Sequence, residues 1–541
     1  MKKLLALILF QVFFLAANGE ETLVQCLQGI VFVGSWQQVE KEATSECGFV
    51  VADRVSILQK SPDFLRELTY EYLDRPLTQK TIVDLKQRVA DFYHSKNQPF
   101  VVVSIPRQEI TNCILQVVVE EARLGCIYSS GNCYFPTSWL SDAMRVNPGE
   151  PIDMQTVFED VAWLNLNPFR RTDAIFKPGA KPNTTDIELV TIDRWPYRVY
   201  AGADNTGTIA TNRNRLFFGF NFGKSVLKDG QISYQFTYAP NWNLFYAHTA
   251  SARLPLPWRH IAVLWGGYSS VKPDTGSSIV KNRGISWQVD ARYRIPIFIN
   301  PHIMQTFTIG YDFKETNNTI LFDGTSLFKT SADINQFLLG YELGYRTETL
   351  SVTWNTEIFG NPGGITYGNK TFFYEQLRPG AKDQYLYIKT AHALAKKTKC
   401  GLFSYDILGQ LSSTNLLPSE QVTMTGYDAV RGFEEKILNL DNALLVHLTY
   451  ETPRVSVLRR TRYGAIDELY LVAFLDYGVG RDHWIVEDGE SFQSLSSIGP
   501  GARYQIDRYC MVRFDYGFQI GHRGFDNPTH SRYNFGLVMS Y

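Results

Sequence analysis

The sequence predicts two small α+β domains followed by a transmembrane antiparallel β-barrel of about sixteen strands. Three observations lead there. From residue 197 onward, apolar and polar residues alternate in segments of about ten, the pattern of strands with one face in lipid and one in a wet lumen. Aromatics make up 14% of the 541 residues, with 30 Tyr and 35 Phe, which suits strands and membrane-interface girdles. Before residue 197, strands and helices mix, in an order that is used twice.

Residues 1–19 read as a secretory signal. Lys2 and Lys3 form the positive end, Leu4 to Leu15 the apolar run, and Ala17-Asn18-Gly19 a small-x-small cleavage site. The run is too short for a membrane anchor. Beyond it no stretch approaches the roughly 20 apolar residues of a membrane helix, so a mature chain resident in a membrane must cross it as a closed barrel. The formal net charge of -1 points to neither nucleic acid nor an acidic substrate. Six of the 7 Cys could pair in an oxidising compartment. Cys126 with Cys133 and Cys26 with Cys47 are candidate disulfides, and unpaired buried thiols are an equal alternative.

The first mixed unit occupies residues 20–122. An apolar strand from Leu27 to Val33 opens it, and two helices follow over Pro62 to Tyr72 and Thr78 to His94. In the second helix Ile82, Leu85, Val89 and Phe92 recur at three- and four-residue spacing, so they mark one buried face, with Thr78 as N-cap. Strands over Phe100 to Ile105 and Cys113 to Glu120 close the unit, and residues 35–61 stand out as an insertion. The second unit, 123–196, repeats the order β-α-α-β-β: a strand over Leu124 to Tyr128, helices near Pro136 to Met144 and Asp153 to Leu164, then strands near Thr172 to Phe176 and Thr185 to Ile192.

The barrel is expected over 197–541. In the stretch 512–520, Val512, Phe514, Tyr516, Phe518 and Ile520 form one apolar face, while Arg513, Asp515, Gly517 and Gln519 form the other. A soluble sandwich also alternates. Charges mixed with glycine on the polar face, and repetition over about 345 residues, favour a barrel around water. Strands are expected near 197–204, 214–223, 230–239, 244–253, 259–268, 285–295, 303–314 and 334–347. They continue near 349–358, 384–396, 400–413, 441–452, 467–479, 497–506, 509–522 and 531–541. Long connections near 269–284, 315–333, 359–383, 414–440 and 480–496 then all fall on the extracellular face.

In the strand over 467–479, Leu471, Ala473, Leu475, Tyr477 and Val479 face lipid, so Phe474, Asp476 and Gly478 face the lumen. A lumen-wall carboxylate beside an aromatic needs a partner, and Gly478 leaves room for a backbone to approach. Arg431 lies in a connection of about 27 residues, long enough to fold back into a pore. Its guanidinium could grip a carboxylate through two parallel hydrogen bonds, or it could remain a solvated loop charge.

Two motifs carry a resemblance. Gly426-Tyr427-Asp428-Ala429-Val430-Arg431-Gly432-Phe433 is similar to the VRGY/F loop of barrels that bear POTRA domains, and Phe474-Leu475-Asp476-Tyr477-Gly478 to their F-x-D-x-G strand. Two POTRA-like units resemble the two-partner secretion transporters of the haemolysin-activator class. So do the run Leu164 to Arg170 and the hairpin with Asp204-Asn205-Thr206-Gly207 and Arg215. The resemblance implies a lock in which Val430, Arg431, Gly432 and Phe433 of the loop meet Phe474, Asp476 and Gly478 of the wall. It also implies that the terminal strand bearing Tyr533, Phe535, Leu537, Met539 and Tyr541 is the signal read by the barrel-assembly machinery, here ending in Tyr rather than Phe. The first strand follows the cleavage site within about ten residues, leaving no room for the plug helix of some relatives. Closure of the pore is therefore expected to depend on the Arg431 loop.

The implied function is export of an unfolded exoprotein, received in the periplasm by the POTRA-like domains through β-augmentation and passed through the barrel. Its setting is the bacterial outer membrane, in contact with lipid, with a monomeric protein and no nucleic acid. The rival functions are a barrel-assembly factor of the same superfamily and a passive porin. No HExxH, GxSxG, GxxxxGK or EF-hand pattern occurs, so no enzyme activity, metal or cofactor is expected. The 9 His are scattered, and His447 falls on the lumen-facing row. The N-x-T triplets at Asn183, Asn317 and Asn369 are chance in a bacterial protein.

Overall fold

The computed structural model describes residues 22–41, 48–52, 55–110, 112–224, 229–274, 280–322, 325–458, 466–484, 492–527 and 529–541. The secretory signal and Cys47 lie outside them. The chain forms two compact units, one reaching to Asp193 and the other running from Arg194 to Tyr541 and also taking in Asn167–Phe169.

The first unit begins with β1 (Thr22–Val24), β2 (Gly29–Val33), β3 (Gly48–Val51), α1 (Ser56–Gln59) and α2 (Pro62–Tyr72). β4 (Leu77–Thr78), α3 (Gln79–Ser95), β5 (Val101–Ser104) and β6 (Ile114–Glu121) follow. The sheet has four strands in the order β3-β2-β6-β5, not three. The extra strand comes from the stretch expected as an insertion: β3 lies parallel to β2, Gly48 opposite Gly29. β2 is wholly apolar and β6 is apolar apart from Gln116, Glu120 and Glu121, as befits strands with neighbours on both sides.

α3 starts at a reciprocal cap, in which the Thr81 amide donates to Thr78 Oγ1 at 3.2 Å and the Thr78 amide to Thr81 Oγ1 at 2.6 Å. Its fully buried stripe is Leu85, Val89 and Tyr93, with Ile82 and Phe92 partly buried beside it. The Tyr93 hydroxyl donates to buried Glu121 at 2.8 Å. Burial first, and the Glu121 carboxylate second, push that hydroxyl well above its ordinary pKa.

β7 (Arg123–Ser130), α4 (Thr137–Ser141), α5 (Met154–Leu164), β8 (Arg170–Pro178) and β9 (Thr184–Asp193) complete the unit. They build a sheet in the order β7-β9-β8 around a core that includes Leu124, Leu140, Val157, Leu164, Ile187 and Leu189. Asp153 caps α5 through the Gln155 amide at 3.1 Å. Cys126 and Cys133 are both free thiols, as is Cys26.

The second unit is a closed antiparallel barrel of sixteen strands. It opens with β10 (Tyr197–Asp204), β11 (Arg215–Phe222), β12 (Gln231–Tyr238), β13 (Phe245–Pro255) and β14 (Ile261–Val271). Next come β15 (Val280–Asn300), β16 (Ile303–Phe322), β17 (Thr325–Arg346), β18 (Leu350–Pro362), α6 (Thr371–Leu377), β19 (Gln384–Thr398) and β20 (Gly401–Ser412). A small hairpin, β21 (Val422–Thr423) with β22 (Asn439–Leu440), sits within the following connection. β23 (Asn442–Glu451), β24 (Asp467–Arg481), β25 (Gln493–Ile506), β26 (Cys510–Arg523) and β27 (Ser531–Ser540) complete the wall. β27 closes on β10, with Ser540 opposite Tyr200 and Gly536 opposite Asp204.

Alternation sets which way each residue points. On β24, Leu471, Ala473, Leu475 and Tyr477 are exposed on the outer face, and Phe474, Asp476 and Gly478 are buried on the inner one. One connection differs from expectation. Residues 315–322 and 325–333 are strand and not loop, because β16 and β17 stay paired out to Phe322 opposite Thr325. These strands are 20 and 22 residues long, whereas about 9–11 span a bilayer, so the hairpin projects beyond it.

Candidate functional site

The connection from Ser413 to Asp441 folds inward. Gly426, at φ +123°, starts a tight turn in which the Val430 amide donates to the Met424 carbonyl at 3.1 Å. The turn carries Val430 into an apolar cluster with Val422, Met424, Phe433, Leu440, Leu445 and Leu495. Gly478 makes this seat possible: a Cβ there would lie 3.0 Å from the Val430 Cγ2 atom.

Arg431 meets the wall at Asp476. Its Nε donates to Asp476 Oδ2 and its Nη2 to Oδ1, each at 2.7 Å, and its backbone amide adds a third bond to Oδ2 at 3.1 Å. The Asp476 side chain is wholly shielded from solvent and Arg431 almost so. The guanidinium carbon stands 3.6 Å from the centre of the Phe474 ring, so the ring face covers the cation while the carboxylate takes its edge. His447 Nδ1 lies 3.0 Å from Asp476 Oδ1; a carboxylate only accepts, so Nδ1 carries the proton. Asp515, 3.9 Å from Arg431 Nη1, is itself gripped by Arg503 at 2.8 and 3.0 Å.

The rest of the tip is fastened in sequence. Gln519 Nε2 donates to the Gly432 carbonyl at 2.7 Å, and the Phe433 ring meets His522 edge-on. Glu434 takes Arg213 at 2.8 Å and Arg532 at 3.2 Å. A second anchor holds the start of the loop. Buried Glu420 accepts from Lys314 Nζ at 2.8 and 3.1 Å, from Gln336 Nε2 at 3.0 Å and from the Tyr387 hydroxyl at 2.9 Å. At the base, Arg378 pairs with Asp441 at 2.6 and 3.0 Å. Glu420 is thus held by the seventh, eighth and tenth strands of the ring. Arg431, Gly432 and Glu434 meet the thirteenth, the fifteenth, and the sixteenth together with the first hairpin. The loop therefore spans the lumen between opposite arcs of the wall.

The seven loop and wall residues singled out from the sequence lie together in this seat. On β27, Tyr533, Phe535 and Met539 are exposed on the outer face, with Leu537 in the same row. Tyr541 lies past the strand end, its amide bonded to the Val199 carbonyl at 2.9 Å. Asn205 stitches the closing seam, donating to the Tyr533 carbonyl and accepting from the Phe535 amide. Arg215 serves the first hairpin, giving hydrogen bonds to Asn212 O at 2.7 Å and Thr211 Oγ1 at 2.6 Å. Sequence reasoning missed Glu420 and the parts played by His447, Asp515, Glu434 and Arg532. His447, Asp515 and Arg532 carry one signal, an inward position on an alternating strand. Glu420 carries none, since a loop has no period.

The chain belongs to the haemolysin secretion/activation protein family ShlB/FhaC/HecB, whose model matches residues 183–504. It is thus an outer-membrane transporter of the secretion/activation type, with its POTRA-like domains on the periplasmic side. Among curated proteins it is similar to the heme/hemopexin transporter protein HuxB of Haemophilus influenzae, 18% identical over 449 residues that cover 81% of this chain and 77% of that one. Its fold is that of CdiB from Escherichia coli, with a TM-score of 0.76 at 16% identity, covering 97% of this chain and 92% of that one. CdiB from Acinetobacter baumannii gives a TM-score of 0.69 at 12% identity, with coverage of 96% and 91%.

Proposed function

We propose that this protein receives an unfolded exoprotein in the periplasm and exports it through the barrel, with the 413–441 loop as the gate. The observation that carries this reading is the loop seated across the lumen on Arg431 and Asp476. The ion pair is buried on both sides, so it fixes the loop inside the lumen, which favours a gated conduit over a passive porin. Recognition falls to the second POTRA-like sheet. Within that sheet β8 has a neighbour on one side only, and an edge strand accepts an incoming strand through backbone hydrogen bonds with little demand on its sequence.

Release of the loop then opens the conduit, and the exoprotein passes without nucleotide. Tyr533, Phe535, Leu537, Met539 and Tyr541 act earlier, as the stretch recognised when the barrel is inserted. The test is deletion of the gene followed by proteomics of medium, surface and outer membrane. Loss of a single exoprotein is the expected result. A general loss of outer-membrane barrels would instead identify an assembly factor.

A further inference from the structure

We propose that the outer wall of the barrel carries a binding site for an anionic phospholipid of the inner leaflet, an acyl chain lying over β20, β23 and β24 and the phosphate meeting Lys396. The strand register defines the site. Leu394, Tyr405, Leu448, Leu475 and Ile498 stand opposite one another in one lipid-facing row. The next row toward the periplasm reads Lys396, Phe403, Tyr450, Ala473 and Pro500. Ala473 is the small member of that row. Beside the paired rings of Phe403 and Tyr450, 4.7 Å apart, it leaves a groove of about 470 Å³ lined by the first row and by Phe403, Tyr450 and Ala473 of the second, with Lys396 next to Phe403 in the register.

The height of the groove follows from its neighbours. The Tyr450 hydroxyl donates to the Cys400 carbonyl at 2.7 Å, in the turn between β19 and β20. That turn joins the tenth strand to the eleventh, so it lies at the same end as the start of β10 and the end of β27, the periplasmic end. The groove therefore opens into the inner leaflet, just above the head-group layer.

Charge selects the lipid. Lys396 stands in the lipid-facing row between Leu350 and Phe403; Lys397 follows it on the opposite face of β19, and Lys399 lies in the exposed turn. Among the described residues none of the three has a carboxylate partner. A lysine on the lipid face is tolerated at the interface, where its stem lies along the apolar wall and its ammonium reaches the head groups. A phosphate of net negative charge supplies the missing counter-ion, whereas a zwitterionic head group brings its own competing cation. The wall behind the groove is the strand of the lock, whose Phe474 turns its ring inward against Arg431.

Native mass spectrometry of the full-length protein in neutral detergent tests this, with phosphatidylglycerol and phosphatidylcholine of identical chains as probes. Phosphatidylglycerol should be retained in preference. Lys396→Gln should lower its retention about fivefold, the effect of one basic residue at an anionic surface, and Lys396→Arg should restore it. Ala473→Leu, which fills the groove, should lower retention of both lipids. Equal retention of the two lipids in the unmodified protein overturns the proposal. So does a preference that survives Lys396→Gln, retention unchanged by Ala473→Leu, or a dimer that Ala473→Leu abolishes.

Discussion

A Cβ placed on Gly517 would stand 2.5 Å from the Gly432 amide nitrogen, so the loop tip and β26 touch backbone to backbone. Gly432 also holds φ at +92°, a conformation other residues rarely adopt. Only a glycine opposite a glycine allows the tip to lie this close to the wall. Gly517→Val forces the tip outward, with an overpacking cost of about 1–3 kcal/mol. The expected outcome is a rise in steady conductance in planar bilayers, with the barrel still folded as judged by heat-shifted gel migration.

Arg431→Lys and Asp476→Asn attack the same seat by chemistry rather than by volume. Lysine is a point charge and cannot supply the two parallel bonds, nor does it lie flat on the Phe474 ring. Asparagine leaves the guanidinium buried without its main counter-charge, since Asp515 stands 3.9 Å away and is itself gripped by Arg503. Breaking one side of a buried pair costs about 3–5 kcal/mol, enough to release a loop tip. Both variants should raise resting conductance and lower exoprotein secretion. Unchanged conductance and secretion in the two together would remove the lock from the mechanism.

Legibility in the sequence followed periodicity. Sixteen strands could be counted because lipid on one side and water on the other impose a two-residue period, and the same parity sends Asp476 inward. Where the environment is water on both sides, the signal fades: Lys314 to Thr319 is polar throughout, so the projecting part of the β16–β17 hairpin read as a loop. β3 is four residues long, too short to declare an alternation, and so passed as part of an insertion. Parity places His447, Asp515 and Arg532 inside but does not say which loop atom each will meet. Glu420 stood beyond reach, since its partners on β16, β17 and β19 lie between 33 and 106 residues away.

In the first POTRA-like unit the single carboxylate of Glu121 holds three elements. It accepts from the Tyr93 hydroxyl at 2.8 Å, from Ser56 Oγ at 2.9 Å and from the Ile57 amide at 3.2 Å. Glu121→Ala strands a buried hydroxyl and the amide at the start of α1, a loss of about 1–3 kcal/mol for each unsatisfied group. Limited proteolysis of the full-length protein should then cleave this unit faster. Glu121→Gln, which keeps an acceptor, should recover most of the resistance. Equal cleavage of Glu121→Ala and the unmodified protein would show the three bonds to be dispensable.

The two anchors of the 413–441 loop make a joint prediction. Glu420→Gln leaves Lys314 buried with its main counter-charge gone, and by itself it should loosen the first half of the loop while Arg431 holds the tip. Arg431→Lys alone frees the tip while Glu420 holds the other end. If each anchor partly closes the lumen, the two variants act through one body and their effects cannot be independent. The double variant should conduct well beyond the sum of the single increments, because only then is the whole loop free to leave. A double-mutant cycle on resting conductance measures this directly. Strict additivity would mean that the two ends move separately, and that Glu420 anchors a part of the loop that does not obstruct the pore.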